Sequence, residues 1–275
     1  MRSDVVDLAE FYRSPLGRVA QRMVRRRIRA MWPDVSGMTV LGLGYATPIL
    51  RPFLEEAARV IALMPARQGV VRWPQQEPNL VALGDEAELP FADLSVDRVL
   101  LVHSVESTEQ LRPLMREVWR ILAANGRAAI VAPNRRGLWA RIERTPFAYG
   151  APYSASQLRD LLRSAMFMPT ASEPALFVPP TRSRMLLSSA EAWERIGSRW
   201  LPLFGGVVIV EATKQIYAAA TPHAATLRRR ARAPRNAVIP GARDRSPLKA
   251  IRPPGAAPPA PASSPPEASS REPAR

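Results

Sequence analysis

From residue 38 onward the chain alternates short, almost wholly apolar runs with longer segments whose apolar residues recur every few positions. The first pattern predicts buried strands, and the second predicts helices lying against them. Strands are expected over 38–43, 59–63, 79–83, 97–103, 127–132, 175–178 and 207–217. Helices are expected over 49–58, 108–122, 154–166 and 190–200, with Ser154 placed to cap the third. Ahead of them, 15–31 reads as a helix. Leu16, Val19, Met23, Val24 and Ile28 lie on one broad side, and Arg18, Arg22, Arg25, Arg26 and Arg29 on the other. Trp32-Pro33 stops it. Strands that are apolar throughout belong in a mainly parallel sheet covered on both faces. The fold class is therefore α/β, a doubly wound, mainly parallel, seven-stranded sheet with helices on both faces, in a single domain. Such sheets bind ligands beyond the carboxyl ends of their central strands. The loops after the first four strands are where chemistry is expected.

Composition changes the picture mainly at the far end. The 275 residues include 29 prolines, no cysteine, and 39 Lys+Arg against 24 Asp+Glu, a net charge of +15. Residues 222–275 hold 11 of the basic residues, 3 acids and 12 prolines, so they carry +8 of that charge. Their composition cannot offset the entropy of ordering, and they are expected to be disordered and partly polyproline II. The chain then divides into a basic helical segment (1–36), an α/β domain (37–221) and a Pro/Arg-rich tail (222–275). The charge invites a nucleic-acid partner, and the arginine side of 15–31 invites an anionic membrane surface; a solvated face accounts for it as well. No apolar run reaches membrane-spanning length. Without cysteines or an apolar leader, a cytoplasmic location is expected. Two histidines and no cysteine exclude a typical zinc site, so no metal is expected. No phosphate-binding Gly-x-x-x-x-Gly-Lys-Ser/Thr loop and no Gly-x-Ser-x-Gly elbow occur.

Four segments, in order, carry a more specific signal. They are VLGLGYATP (40–48), VIALMPA (60–66), GDEAELPFADLSVDRVLLVHSVE (84–106) and REVWRILAANGRAAIVAPN (116–134). Together they resemble the class I S-adenosylmethionine-dependent methyltransferases, in particular the common type 11 methyltransferase domain. The third string is the most specific: an acid ahead of Leu-Pro-Phe, then Asp-x-Ser-x-Asp and an apolar strand. The resemblance implies a Rossmann-like methyltransferase fold, S-adenosylmethionine as cofactor, and methyl transfer to a small-molecule or macromolecular acceptor. A non-catalytic binding or regulatory module on the same fold, and an RNA-directed methyltransferase, are the alternatives.

Residue by residue, the resemblance places Gly42, Gly44, Tyr45 and Ala46 at the turn facing the methionine half of the cofactor. Small residues there let the backbone approach a ligand closely. Met64 falls where the family has an acid for the ribose hydroxyls. Asp85, with Glu86 beside it, falls where an acid accepts from the adenine amino group. His103 falls where cofactor and substrate both come near, and it is the candidate base, with Glu106 a second one. Arg135, Trp139 and Tyr149 are candidate substrate contacts, since arginine suits an anionic group. Two departures stand out. Gly42 replaces the family's usual acid ahead of its glycines, and Met64 replaces the ribose acid. A thioether cannot accept two charge-assisted hydrogen bonds. Tyr45 and Thr47 either line the site in compensation or simply pack.

Overall fold

The computed structural model describes residues 4–215. The tail expected over 222–275 lies outside them. Seven strands form one sheet: β1 (Thr39–Gly44), β2 (Arg59–Pro65), β3 (Val81–Gly84), β4 (Val96–Val102), β5 (Leu122–Pro133), β6 (Phe167–Ala175) and β7 (Val207–Lys214). Their order is β3-β2-β1-β4-β5-β7-β6. The first five are parallel to one another, and β7 runs antiparallel to both its neighbours. Among the described residues seven α-helices accompany them: α1 (Val5–Arg13), α2 (Pro15–Met31), α3 (Thr47–Leu50), α4 (Leu111–Ile121), α5 (Ala155–Ser164), α6 (Arg184–Ser188) and α7 (Ala190–Trp200).

Because successive strand side chains point to opposite faces, the apolar strands feed two cores at once. Val40, Leu100, Val102, Ala129 and Val131 pack under Val24, Ile28 and Ile49. Leu41, Leu43, Leu101 and Ile130 pack under Leu114, Val118, Leu158 and Leu162 from α4 and α5. Ser154 caps α5 in a reciprocal box with Gln157. The arginine side of α2 is partly engaged. Arg29 makes a two-pronged pair with Glu56, and Arg25 donates to the Pro48 carbonyl at 2.6 Å.

Three differences from the sequence reading have a plain physical reason. The helix expected over 49–58 is only α3 followed by a 3-10 turn at Arg51–Phe53, because Pro48 and Pro52 crowd that stretch. The strand expected over 175–178 lies earlier, as β6. Pro169 and Pro174 make 167–175 look unlike a strand, yet β6 is an edge strand, where a missing N–H is tolerated. The third difference is α1, which the pattern of 1–14 did not announce. Asp4 caps it by accepting from the Val6 N–H, and Ser14 both ends it and caps α2. A Cβ on Gly17 would lie 1.9 Å from the Phe11 carbonyl oxygen, so glycine lets the two helices turn tightly on each other.

Candidate cofactor site

The strand order reverses at β1, which lies between β2 and β4. The carboxyl ends of β1 and β4 are therefore where a ligand belongs. Gly44 ends β1 with φ +75°, and a Cβ there would sit 2.3 Å from the Val102 carbonyl oxygen. Glycine is required by the neighbouring strand as much as by any ligand. Gly42 is packed in turn against Leu50 and Ala46.

His103 follows β4 with φ +51°, a left-handed conformation unusual for a non-glycine residue. Strained backbone of this kind tends to mark functional positions. The imidazole is buried, and its Nε2 lies 2.8 Å from the Tyr12 hydroxyl. Burial, the nearby Glu106 charge and Tyr45 push the Tyr12 phenol well above its ordinary pKa of 10.0, so it keeps its proton. The protonated phenol can donate to Nε2 or accept from it, according to which ring nitrogen carries the imidazole proton. Nδ1 is 3.3 Å from Glu106 Oε1 but off the hydrogen-bonding direction. Both Glu106 carboxylate oxygens are thus buried without a hydrogen-bond partner, as are Ser104 Oγ and Gln68 Oε1. Gln68 reaches this corner through its amide, which donates to the His103 carbonyl at 3.2 Å.

α1 covers this corner. Val5, Leu8, Ala9 and Tyr12 form an apolar cluster with Tyr45 and Met64, and Tyr12 stacks on Tyr45 at 5.7 Å between ring centroids. Gly44, Tyr45, Ala46, Met64 and His103 are consequently all buried. A cleft of about 450 Å³ remains on the outer side of Tyr12 and Tyr45, bordered by Thr47, Arg13, Arg51, Arg72 and Trp73.

The other expected site residues are elsewhere. Asp85 is exposed, and its Oδ1 accepts from the Ala87 N–H at 2.8 Å, a turn-forming role. Glu86 is buried and accepts a short hydrogen bond from Thr108. Trp139 is a core residue: its ring is sealed against Phe147, and its N–H bonds the Val178 carbonyl at 2.8 Å. It cannot contact a substrate without unpacking that core. Arg135 is exposed and leans on the Pro152 carbonyl, while the Tyr149 hydroxyl bonds the Glu143 carbonyl. Sequence reasoning did not bring Tyr12 or Gln68 to this corner, because each reaches His103 only once α1 and the loop after β2 fold over β4.

Residues 41–130 match the family model described as a methyltransferase domain. That match supports a class I S-adenosylmethionine-dependent methyltransferase domain over this stretch. An S-adenosylmethionine-dependent methyltransferase from Thermotoga maritima, titled a possible histamine N-methyltransferase, has a similar structure at 19% identity. That match has a TM-score of 0.54 and covers 77% of this chain and 96% of the other. A putative methyltransferase from Haloferax volcanii, solved with a methyltransferase activator protein, is similar at 16% identity and TM-score 0.52, over 76% and 97% of the two chains. A protein titled as a 4+2 cyclase is similar at 19% identity and TM-score 0.51, over 74% and 84%. These likenesses show the fold. Among curated proteins no match is found.

The family match supports S-adenosylmethionine as the cofactor of this domain. The chemistry of the corner fits that molecule: Glu106, Gln68 Oε1 and Ser104 Oγ are buried acceptors awaiting donors, which an ammonium group and ribose hydroxyls supply. The space does not fit it while Tyr12 and Leu8 lie on Met64 and Tyr45. α1 fills the corner between Tyr45 and Met64 in this structure. No helix among the described residues is long and apolar enough to cross a membrane.

Proposed function

We propose that the protein transfers a methyl group from S-adenosylmethionine to an acceptor carrying a hydroxyl or amine, after α1 lifts from the corner of β1 and β4. The observation that carries this reading is the buried Glu106 carboxylate, which makes no hydrogen bond and has His103 Nδ1 3.3 Å from one oxygen, beside Ser104 Oγ and Gln68 Oε1. A buried carboxylate whose hydrogen-bonding capacity is unused is costly unless a ligand completes it. Bound S-adenosylmethionine supplies an electrophilic methyl on its sulfonium. The chain's own part is to bind, orient and take up a proton. Glu106 and Gln68 accept from the cofactor's donors. His103 Nε2 takes the acceptor's proton. In the covered state the Tyr12 hydroxyl sits 2.8 Å from Nε2, the place an acceptor hydroxyl would take. Asp85, Gly44, Tyr45 and Met64 remain proposed cofactor contacts in the uncovered state, and Arg135 and Tyr149 proposed acceptor contacts.

The test is titration calorimetry of the full chain with S-adenosylmethionine, beside a methyl-transfer assay on hydroxyl and amine acceptors. Glu106→Gln keeps the shape and removes the charge. It is expected to weaken binding roughly tenfold or more, the scale of one lost charge-assisted contact. Asp85→Ala is expected to weaken it less, since Asp85 is exposed. A folded protein whose wild type and Tyr12→Ala variant both ignore the cofactor at millimolar concentration overturns the proposal.

A second reading, a binding module that has lost catalysis, draws on Met64. It is fully buried where an acid for the ribose belongs, and it is sealed by α1. Cofactor binding without turnover on any acceptor tested would favour it.

A further inference from the structure

Six of the large apolar side chains exposed among the described residues fall within 193–204, whereas the rest are scattered over the preceding chain. α7 turns Ala190, Glu194 and Gly197 inward. Gly197 is in place because a Cβ would meet the Phe177 ring at 2.3 Å. On an adjoining stripe, at spacings of three and four, stand Trp193, Ile196 and Trp200, with Trp200 71% exposed. Leu201, Leu203 and Phe204 extend the ridge beyond the helix, each more than half exposed. Large apolar side chains exposed together in this way mark a binding face.

The surroundings say what binds. Arg195 and Arg199 project from the other side of α7, exposed. Arg195 shares a small surface depression with Arg26 and Arg27 of α2, so the basic side of α2 continues onto α7. Arg182 and Arg184 lie just upstream, also exposed. The acids nearby are few. Glu194 is buried, accepting from the Phe177 N–H at 2.9 Å with Arg27 3.8 Å away; half-exposed Glu173 lies 3.7 Å from the same Arg27, and Glu191 is the one exposed acid in α7.

We propose that this face docks on an anionic phospholipid membrane, with the Trp193–Phe204 ridge seated at the headgroup–acyl boundary and the arginines on lipid phosphates. The ridge supplies apolar area, and tryptophan suits a boundary with one wet side. The arginines supply the attraction to negative lipid that apolar area alone lacks. A peripheral position of this kind brings the domain to a membrane surface without crossing it.

The experiment is co-sedimentation of the full chain with vesicles of pure phosphatidylcholine, and with vesicles of roughly equal parts phosphatidylcholine and phosphatidylglycerol. The wild type is expected to pellet with the second and not the first, and to be released by high salt. Trp200→Asp with Phe204→Asp should weaken pelleting roughly tenfold or more, since both side chains lose apolar contact with lipid. Arg195→Glu with Arg199→Glu should act in the same direction. All four positions are exposed, so melting temperatures should match the wild type. The proposal is overturned if the wild type ignores anionic vesicles, or binds neutral ones equally. It is also overturned if the aspartate variant pellets undiminished, which assigns binding to other basic residues. Ultracentrifugation showing a wild-type dimer that the aspartate variant lacks overturns it as well, because a second copy then covers the ridge.

Discussion

Replacing Tyr12 by alanine tests whether α1 guards the site. The side chain is buried, stacks on Tyr45, touches His103 edge-on and bonds Nε2 at 2.8 Å. The hydrogen bond contributes about 1 kcal/mol net, and burial of the ring about 2 kcal/mol. Together they favour the covered state by about 3 kcal/mol through this one residue. A ligand that binds only the uncovered state has its apparent affinity reduced by the uncovered fraction. At about 1.4 kcal/mol per tenfold, Tyr12→Ala should tighten apparent S-adenosylmethionine binding by roughly a hundredfold. Tyr12→Phe, which loses only the hydroxyl, should tighten it by roughly fivefold. Both variants should be less stable without ligand and should recover stability when it is added. Calorimetry reads the affinities, and thermal unfolding with and without ligand reads the linkage. Equal or weaker binding by both variants, in folded protein, refutes the guarding role of α1 and leaves Tyr12 as part of the binding surface.

Three further outcomes follow from other buried groups. Glu211 is buried under β6 and accepts from Trp32 Nε1 at 2.9 Å, Arg127 at 3.1 Å and Thr170 at 2.8 Å, so Glu211→Ala should destabilise the fold by roughly 3–5 kcal/mol in denaturant titration. An effect below about 1 kcal/mol would mean that water replaces all three contacts. Gly44→Ala should yield protein that fails to fold or loses roughly 2 kcal/mol or more, because φ is +75° and the added Cβ meets the Val102 carbonyl; a soluble variant of unchanged stability would contradict that geometry. Glu194 has its pKa raised above the ordinary 4.5, chiefly by burial and against the opposing Phe177 N–H and Arg27. A raised folded value means that this stability is present below the unfolded pKa and is lost as pH rises through the folded one. Wild type should therefore lose stability over the interval just above pH 4.5 relative to Glu194→Gln; identical pH profiles would show that Glu194 ionises freely in place.

Much of the sheet was readable because its strands are apolar on both faces. Leu41 and Val40 feed opposite cores, as do Leu101 and Leu100, and only a doubly covered strand needs that. β6 was misplaced for the complementary reason: an edge strand is half solvated and tolerates Pro169 and Pro174, so its residues lose the apolar signature. The positions of Gly44 and His103 at the ends of β1 and β4 were legible through a motif that ties them to those strands. Trp139 was misjudged because an aromatic amid arginines looks like a binding surface, and nothing local reveals that the Val178 carbonyl waits for its N–H. The places of Tyr12 and Gln68 were illegible because they come from long-range contacts such as Tyr12 to His103, between residues 91 positions apart.

The missing acids and the unexpected helix explain one another physically. Gly42 and Met64 leave the ends of β1 and β2 without a carboxylate, so that surface is apolar and uncovered strands would expose Met64 and Tyr45 to water. Val5, Leu8 and Tyr12 cover it, which an acid at position 64 would forbid by burying an unpaired charge. The carboxylate that the corner retains is Glu106, on the far side of His103 after β4. A negative charge there faces the same strand ends from a different loop, and the hydroxyl laid on His103 belongs to the chain itself. Substituting Met64 by aspartate should therefore unseat α1 before it improves any contact to ribose. Protease cleavage within residues 5–13 reads that release directly. A Met64→Asp variant whose α1 stays as protected as in the wild type would break the link between the apolar strand end and the helix that seals it.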